Sequence, residues 1–331
     1  MSRLPAVAAG LALDRWLGEP PTAVHPVARF GQAMSQVERV MWRDDRATGV
    51  AHAAIGVGAA WLTGVASRRL VGDRAATLLA TAACVAGRML DTEATAVAEL
   101  LDRGDLLAAR RRLASLVGRD TASLDTAGVV RAVVESVAEN TTDAVVAPAL
   151  WAAFLGAPGV LAHRAANTMD AMVGHRSPRH LRYGWASARL DDVANAVPAA
   201  VGVALVVARH PTRWRAIGRA VTVDARRHPS PNAGLIEAAF AGALGISLGG
   251  ANTYGDVVED RGRLGGGRPP EVADIARAVR LRRAVAVGVG ALVLLAEGQR
   301  VLRSRPRRRS QLRLVSSSHP TASARRSVVA T

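Results

Sequence analysis

Four polar segments of the chain hold the residue types that could do chemistry. In RAVVESVAENTTDAVVAP, Arg131, Glu135, Glu139 and Asp143 recur every four residues. A continuous helix would align them as one charged stripe opposite a face of valines. Carboxylates so placed, beside Asn140, suit Mg2+, which takes a few carboxylates and completes its shell with water and phosphate oxygens. The same spacing also describes a solvated face laced by an Arg–Glu pair.

The second segment is HRAANTMDAMVGHRSPRHLRYGWASARLDDVANAVPA. Asn167 and Asp170, three apart, share a helical face, while Asp191, Asp192 and Asn195 open an apolar run. A carboxylate pair there is costly unless solvated, paired or bound to a metal. Arg164, Arg176, Arg179, Arg182 and Arg189 offer guanidinium forks for phosphate, and His175 offers a proton acceptor. A basic loop following the inside-positive bias is the plainer reading. In HPSPNAGLIEAAFAGALGISLGG, two prolines fix a turn and Asn232 leads into a helix whose N-terminus could bind an anion. In LDRWLGEPPTAVHPVARFG, Asp14, Glu19 and His25 flank Pro-rich turns.

Helices must position these segments. Half of the 331 residues are hydrophobic but only 3% are aromatic; Ala, Val, Leu and Gly make up the apolar mass, which suits close helix packing in lipid. Runs without Asp, Glu or Arg cover residues 47–67, 75–87, 144–163, 193–208 and 284–296. The first and third are near bilayer length, and the others span if flanking arginines snorkel. The third carries Pro148 and Pro158, which predicts a broken or re-entrant helix. Residues 238–255 read as a helix followed by a loop, and GRLGGGRPP as a flexible connection. Val129, Val130, Val133, Val134 and Val137 predict one helical face, capped by Asp125 or Thr126. The expected fold is all-α: a polytopic helical membrane protein with amphipathic helices and polar loops between spans. One catalytic domain fills 1–300, followed by a basic tail at 301–331.

The formal charge of +16 is unevenly spread: residues 303–331 hold eight Arg and no acid. A Ser-rich basic tail after an apolar run fits an anionic membrane surface better than nucleic acid. The chain has no Lys, which excludes a Walker A loop and Schiff-base chemistry on a side-chain amine. The single Cys84 excludes an intramolecular disulfide, and no Cys/His spacing fits zinc.

The order of these motifs closely resembles the CobD/CbiB family, over about residues 4–295: LDRWLGEPPTAVHPV, then GRDTASLDTAGVVRAVVESVAENTTDAVVAPALWAAFLGAPGVLAHRAANTMDAMVGH, then YGWASARLDDVANAVPA, then HPSPNAGLIEAAFAGALGISLGG. The resemblance implies a polytopic membrane enzyme of the adenosylcobinamide-phosphate synthase type. Such an enzyme joins the free propionate carboxylate of adenosylcobyric acid to (R)-1-aminopropan-2-ol or its O-phosphate, with ATP and Mg2+. Laid on these motifs, it implies metal ligands at Asp143, Asp191 and Asp192, with Glu135 and Glu139 adjoining. Catalysis would fall to Glu135, Glu139, Asp170 and His175. Substrate or phosphate would be held by Arg131, Asn140, Arg164, Asn167, Arg176, Arg189, Asn195 and Asn232. The expected partners are the corrinoid, the amino alcohol, membrane lipid and other corrinoid-pathway enzymes, with no nucleic acid. The resemblance extends to AmpE-like membrane proteins, which implies a non-enzymatic sensor or transport alternative.

Overall fold

The computed structural model describes residues 2–19, 24–175, 177–254 and 257–304. In chain order the helices are α1 (Leu4–Leu17), α2 (Pro26–Met41), α3 (Arg46–Val71), α4 (Asp73–Cys84), α5 (Gly87–Asp102), α6 (Leu106–Leu113) and α7 (Thr126–Thr141). After α7 come a π-turn (Thr142–Val146), α8 (Ala147–Leu155), α9 (Ala157–Met169) and a second π-turn (Asp170–Gly174). Then follow α10 (Trp185–Arg209), α11 (Trp214–Arg219), α12 (Pro231–Leu244), strands β1 (Leu248–Tyr254) and β2 (Val257–Leu264), and α13 (Val272–Ser304).

The expected all-α architecture holds, with one correction. Residues 248–254, expected as a loop, and 257–264, which include the start of the expected flexible connection, pair as antiparallel strands. Leu248 and Leu264 are paired and buried in the main core, and that burial orders a Gly-rich stretch that local propensity marks as a turn. The expected basic tail lies outside the described residues from 305 onward.

Short polar residues start several helices. Asp45 accepts from Thr48 N at 2.8 Å, Asp105 from Ala108 N at 2.9 Å and Asp125 from Gly128 N at 2.7 Å; each satisfies a backbone donor that a helix start leaves open. Past the Asp125 cap, the five valines of α7 are fully buried and join Leu90, Val97, Ile236 and Phe240 in one continuous core.

Among the described residues two helices are long and apolar enough to cross a bilayer: α3, with a mean hydropathy of 1.4, and α10, at 1.6. This is fewer than the five apolar runs suggest. Run 75–87 is mostly the twelve-residue α4, and run 144–163 is divided at Gly156, whose φ of +71° ends α8 and opens α9. A left-handed backbone at that point favours glycine. α8 and α9 fold against each other as a helical hairpin. Along α9 lies α3, held close by small residues: a Cβ on Gly64 would fall 2.4 Å from Pro158 Cα, and one on Gly56 would meet Met169 Sδ at 2.4 Å. Bare glycine is what lets these backbones approach.

Candidate active site

Two of the helices that carry polar motifs, α7 and α9, end in π-turns; a further π-turn, Ala220–Asp224, follows α11 away from this cluster. The turn after α7 carries Asp143 and the turn after α9 carries Asp170. A π-turn inserts an extra residue per turn and re-aims the side chains beyond it. The four-residue stripe is therefore not a uniform solvated face. Its members diverge into two environments.

Glu135 is buried beneath the hairpin. One oxygen pairs with Arg119 at 2.5 Å, and the other accepts from Gly249 N at 2.8 Å. Arg131 stands 3.9 Å from the same carboxylate and donates to Ala251 O. Expected as a catalytic and a substrate-binding residue, these two are committed to fastening β1 onto α7. Asn140 donates back to Ser136 O at 3.0 Å within its own helix. Glu139 is the stripe's open carboxylate. It is partly buried, and its charge is felt at Asp143, Asp170, His228 and Glu237.

The denser environment lies where α7, α9 and α10 meet. The Asn167 amide donates to Asp143 Oδ2 at 3.0 Å and to Asp191 Oδ1 at 3.2 Å. Asn195 donates to the same Asp191 oxygen at 3.0 Å, and Arg164 donates to Asn167 Oδ1 at 3.3 Å. Because the Asn195 amide faces Asp191, its carbonyl faces His163 Nε2, 2.9 Å away. That nitrogen must therefore carry the proton. Asn232 donates to the Asp192 carbonyl at 2.8 Å and ties the start of α12 to α10. Arg189 pairs with Asp192 at 3.3 Å.

Burial and like charge raise proton affinity throughout this cluster. Burial first, then the charges of Asp191, Glu139 and Asp192, push Asp170 up to about 7. Burial first, then Asp191 and Glu139, hold Asp143 well above the ordinary carboxylate range. Among the described residues no three Asp, Glu, His or Cys side chains form a ready coordination set. The donor set still suits Mg2+, which keeps several waters and needs only one or two direct carboxylates. A divalent cation would also relieve the like-charge crowding among these buried carboxylates.

Other expected residues lie elsewhere. His175 stands 3.2 Å from His180, which in turn reaches Glu38 at 3.0 Å; this chain of side chains is separate from the carboxylate network. Arg176 lies outside the described residues. Sequence reasoning passed over His163, Arg119, His228 and Glu237. Glu237 is fully buried in α12, and among the described residues neither oxygen has a hydrogen-bond partner. His228 and Arg261 stand 3.8 and 3.9 Å away. Burial, then the charges of Glu135 and Glu139, raise its proton affinity strongly. A lone Glu in the otherwise apolar run of α12 was the available signal.

Comparisons with known proteins place the chain in a family. The family model described as CobD/Cbib protein matches residues 7–282. The cobalamin biosynthesis protein CobD of Mycobacterium tuberculosis is 49% identical over 300 residues, covering 89% of this chain and 96% of the relative. That of Pelobacter propionicus is 40% identical over 272 residues, covering 78% and 84%. That of Halalkalibacterium halodurans is 35% identical over 308 residues, covering 88% and 96%. No solved structure matches. A family match spanning both π-turns and every motif of the carboxylate network makes this chain a member of the CobD/CbiB family of cobalamin biosynthesis proteins.

Proposed function

We propose that this chain is a multi-pass membrane amide ligase. It joins the free propionate carboxylate of adenosylcobyric acid to (R)-1-aminopropan-2-ol or its O-phosphate, at the expense of ATP. The observation that carries this reading is the convergence of Asp143 and Asp191 on the Asn167 amide, with Asp170 near enough to interact electrostatically with both; Asp143 and Asp170 each lie on a π-turn. Family membership supplies the pathway, and the named curated relatives act in cobalamin biosynthesis by their descriptions.

A carboxylate is a poor electrophile, so amide formation requires activation. Phosphoryl transfer from ATP to the propionate would supply it, with negative charge developing on the transferred group. Mg2+, held by Asp143, Asp191 and Asp192 with Glu139 adjoining, would offset that charge when bound. Asn167 and Asn195 fix the Asp191 carboxylate, and His163 fixes Asn195, so the network holds its orientation without substrate. Arg164, attached to Asn167, presents a cation to phosphate at the edge of the cluster. Since the chain lacks Lys, phosphate handling falls to arginine and backbone N–H groups. The incoming amine must lose a proton. Asp170, whose affinity for a proton sits at about 7, is matched to accept it near neutral pH.

α3 and α10 serve as spans, and the exposed apolar face of α13 as a further membrane contact. A non-enzymatic AmpE-like sensor is disfavoured, because it gives no reason to crowd buried carboxylates at two π-turns. The test is amidation of adenosylcobyric acid by the full chain purified in detergent, with each amine donor, with and without ATP and Mg2+. Product that depends on ATP is the expected result. No product with either donor would overturn the assignment.

A further inference from the structure

A second polar cavity, of about 710 Å3, lies between the end of α1, the first turns of α5 and the middle of α13. Its wall includes Arg15, Trp16, Arg88, Asp91, Thr95 and Arg283. Asp91 is shared: Arg282 and Arg283 each approach it at 2.7 Å, so it neutralises only one of them. Arg88 donates to the Trp16 carbonyl through its side chain and to Asp14 through its backbone. Among the described residues Arg15 has no hydrogen bond or ion pair, and it is exposed. Glu99 at the rim is 3.9 Å from Arg103. Arginine therefore exceeds acid in and around the cavity.

The surroundings are apolar. Trp16 and Leu17 are 77% and 75% exposed beside Arg15. The uncharged run of α13 begins one residue after Arg283, and Val287, one turn on, is 74% exposed. α1 runs alongside this stretch, with Leu11 opposite Gly290. Arginines and a tryptophan at the edge of an exposed apolar helix match the level of a membrane–water interface. The cavity lining shares no residue with the carboxylate network. Its α5 wall packs on the π-turn backbone, where Ala86 N donates to Ala144 O at 3.1 Å, while Asp143 points to α9.

We propose that this cavity seats the headgroup of an anionic phospholipid, with its phosphate on Arg15 and Arg88 and its acyl chains along the exposed face of α13. The proposal rests on the membrane reading above and is independent of the amidation chemistry. Its test uses the full chain in zwitterionic detergent, without corrinoid or amine. The thermal midpoint is followed against dioctanoyl phosphatidylglycerol, dioctanoyl phosphatidylcholine and inorganic phosphate. Phosphatidylglycerol should raise the midpoint at concentrations where the other two do not. Arg15→Gln, which breaks no bond in the fold, should raise the half-saturating concentration about fivefold, the effect of one basic residue near an anionic surface; Arg15→Lys should restore most of it. Equal stabilisation by phosphatidylcholine, an equal effect of inorganic phosphate alone, or an unchanged Arg15→Gln response would each overturn the proposal. None of these outcomes bears on whether the purified protein forms the amide.

Discussion

Asn167 and Asp143 sit 24 residues apart in sequence, yet the amide of one donates to the carboxylate of the other at 3.0 Å. The bond closes the base of the α8–α9 hairpin and ties the first π-turn to the last turn of α9. The same amide reaches Asp191, so one residue sets the spacing of two acids on different helices. Asn167→Ala should cost about 2–3 kcal/mol of stability, since its bonds are to charged groups and two carboxylates lose a donor. Its amidation rate should fall about a hundredfold, as expected when reacting groups lose their register. Parallel thermal unfolding and single-turnover measurements would check this, and equal small losses in both would count against a positioning role.

Asp191→Asn and Asp143→Asn each remove one negative charge from a crowd of acids. Their effects on stability and activity should therefore be opposite in sign. The thermal midpoint should hold or rise, because like-charge repulsion is relieved, while the rate falls. Half-saturating Mg2+ should increase about tenfold or more. Full activity in either variant would remove that carboxylate from the site.

Asp170 makes a pH-dependent prediction. Its proton affinity is raised from the ordinary 3.8 to about 7. Below about pH 4 the folded and unfolded forms are both protonated, so the group contributes nothing. Between that point and 7 the unfolded form ionises first, so stability falls as pH rises. Asp170→Asn should flatten this decline. In the amidation rate, a rising limb centred near pH 7 should disappear in the same variant. A limb that persists in Asp170→Asn would assign the proton to another group.

Glu135 should behave differently from the other acids. Replacing it with Ala would break the buried ion pair with Arg119 and release Gly249 N, at a cost of about 3 kcal/mol for a broken buried pair. The loss should appear as early protease cleavage within residues 248–264 and a lower thermal midpoint. A stable but inactive Glu135→Ala would restore the catalytic role that the geometry withholds from it.

How much of this was legible in the sequence differs by element. The valine face of α7 and the Asp125 cap follow from period and composition, and both are present. The break in run 144–163 was signalled by its prolines, although the turn itself falls on Gly156. The grouping of Asn167 with Asp143 and Asp191 came from motif resemblance and not from spacing, because tertiary contacts of that separation leave no local period. The π-turns were invisible for a related reason: an inserted helical residue carries no composition of its own. Glu135 and Glu139 looked equivalent along the chain. What separates them is Arg119 and the hairpin backbone, which arrive from elsewhere in the sequence. Glu237 was overlooked because its segment was read for its turn and not for its one acid.

The helical hairpin of α8 and α9 has a consequence for parity. Its two ends meet at the Asn167–Asp143 bond, so on the membrane reading proposed above the segment would leave and return on one face. In a bilayer it adds nothing to the count of crossings. The sidedness of the two termini is then set by the remaining helices alone. An epitope inserted just before residue 143 and another just after 169 must report the same face, whatever the total number of spans.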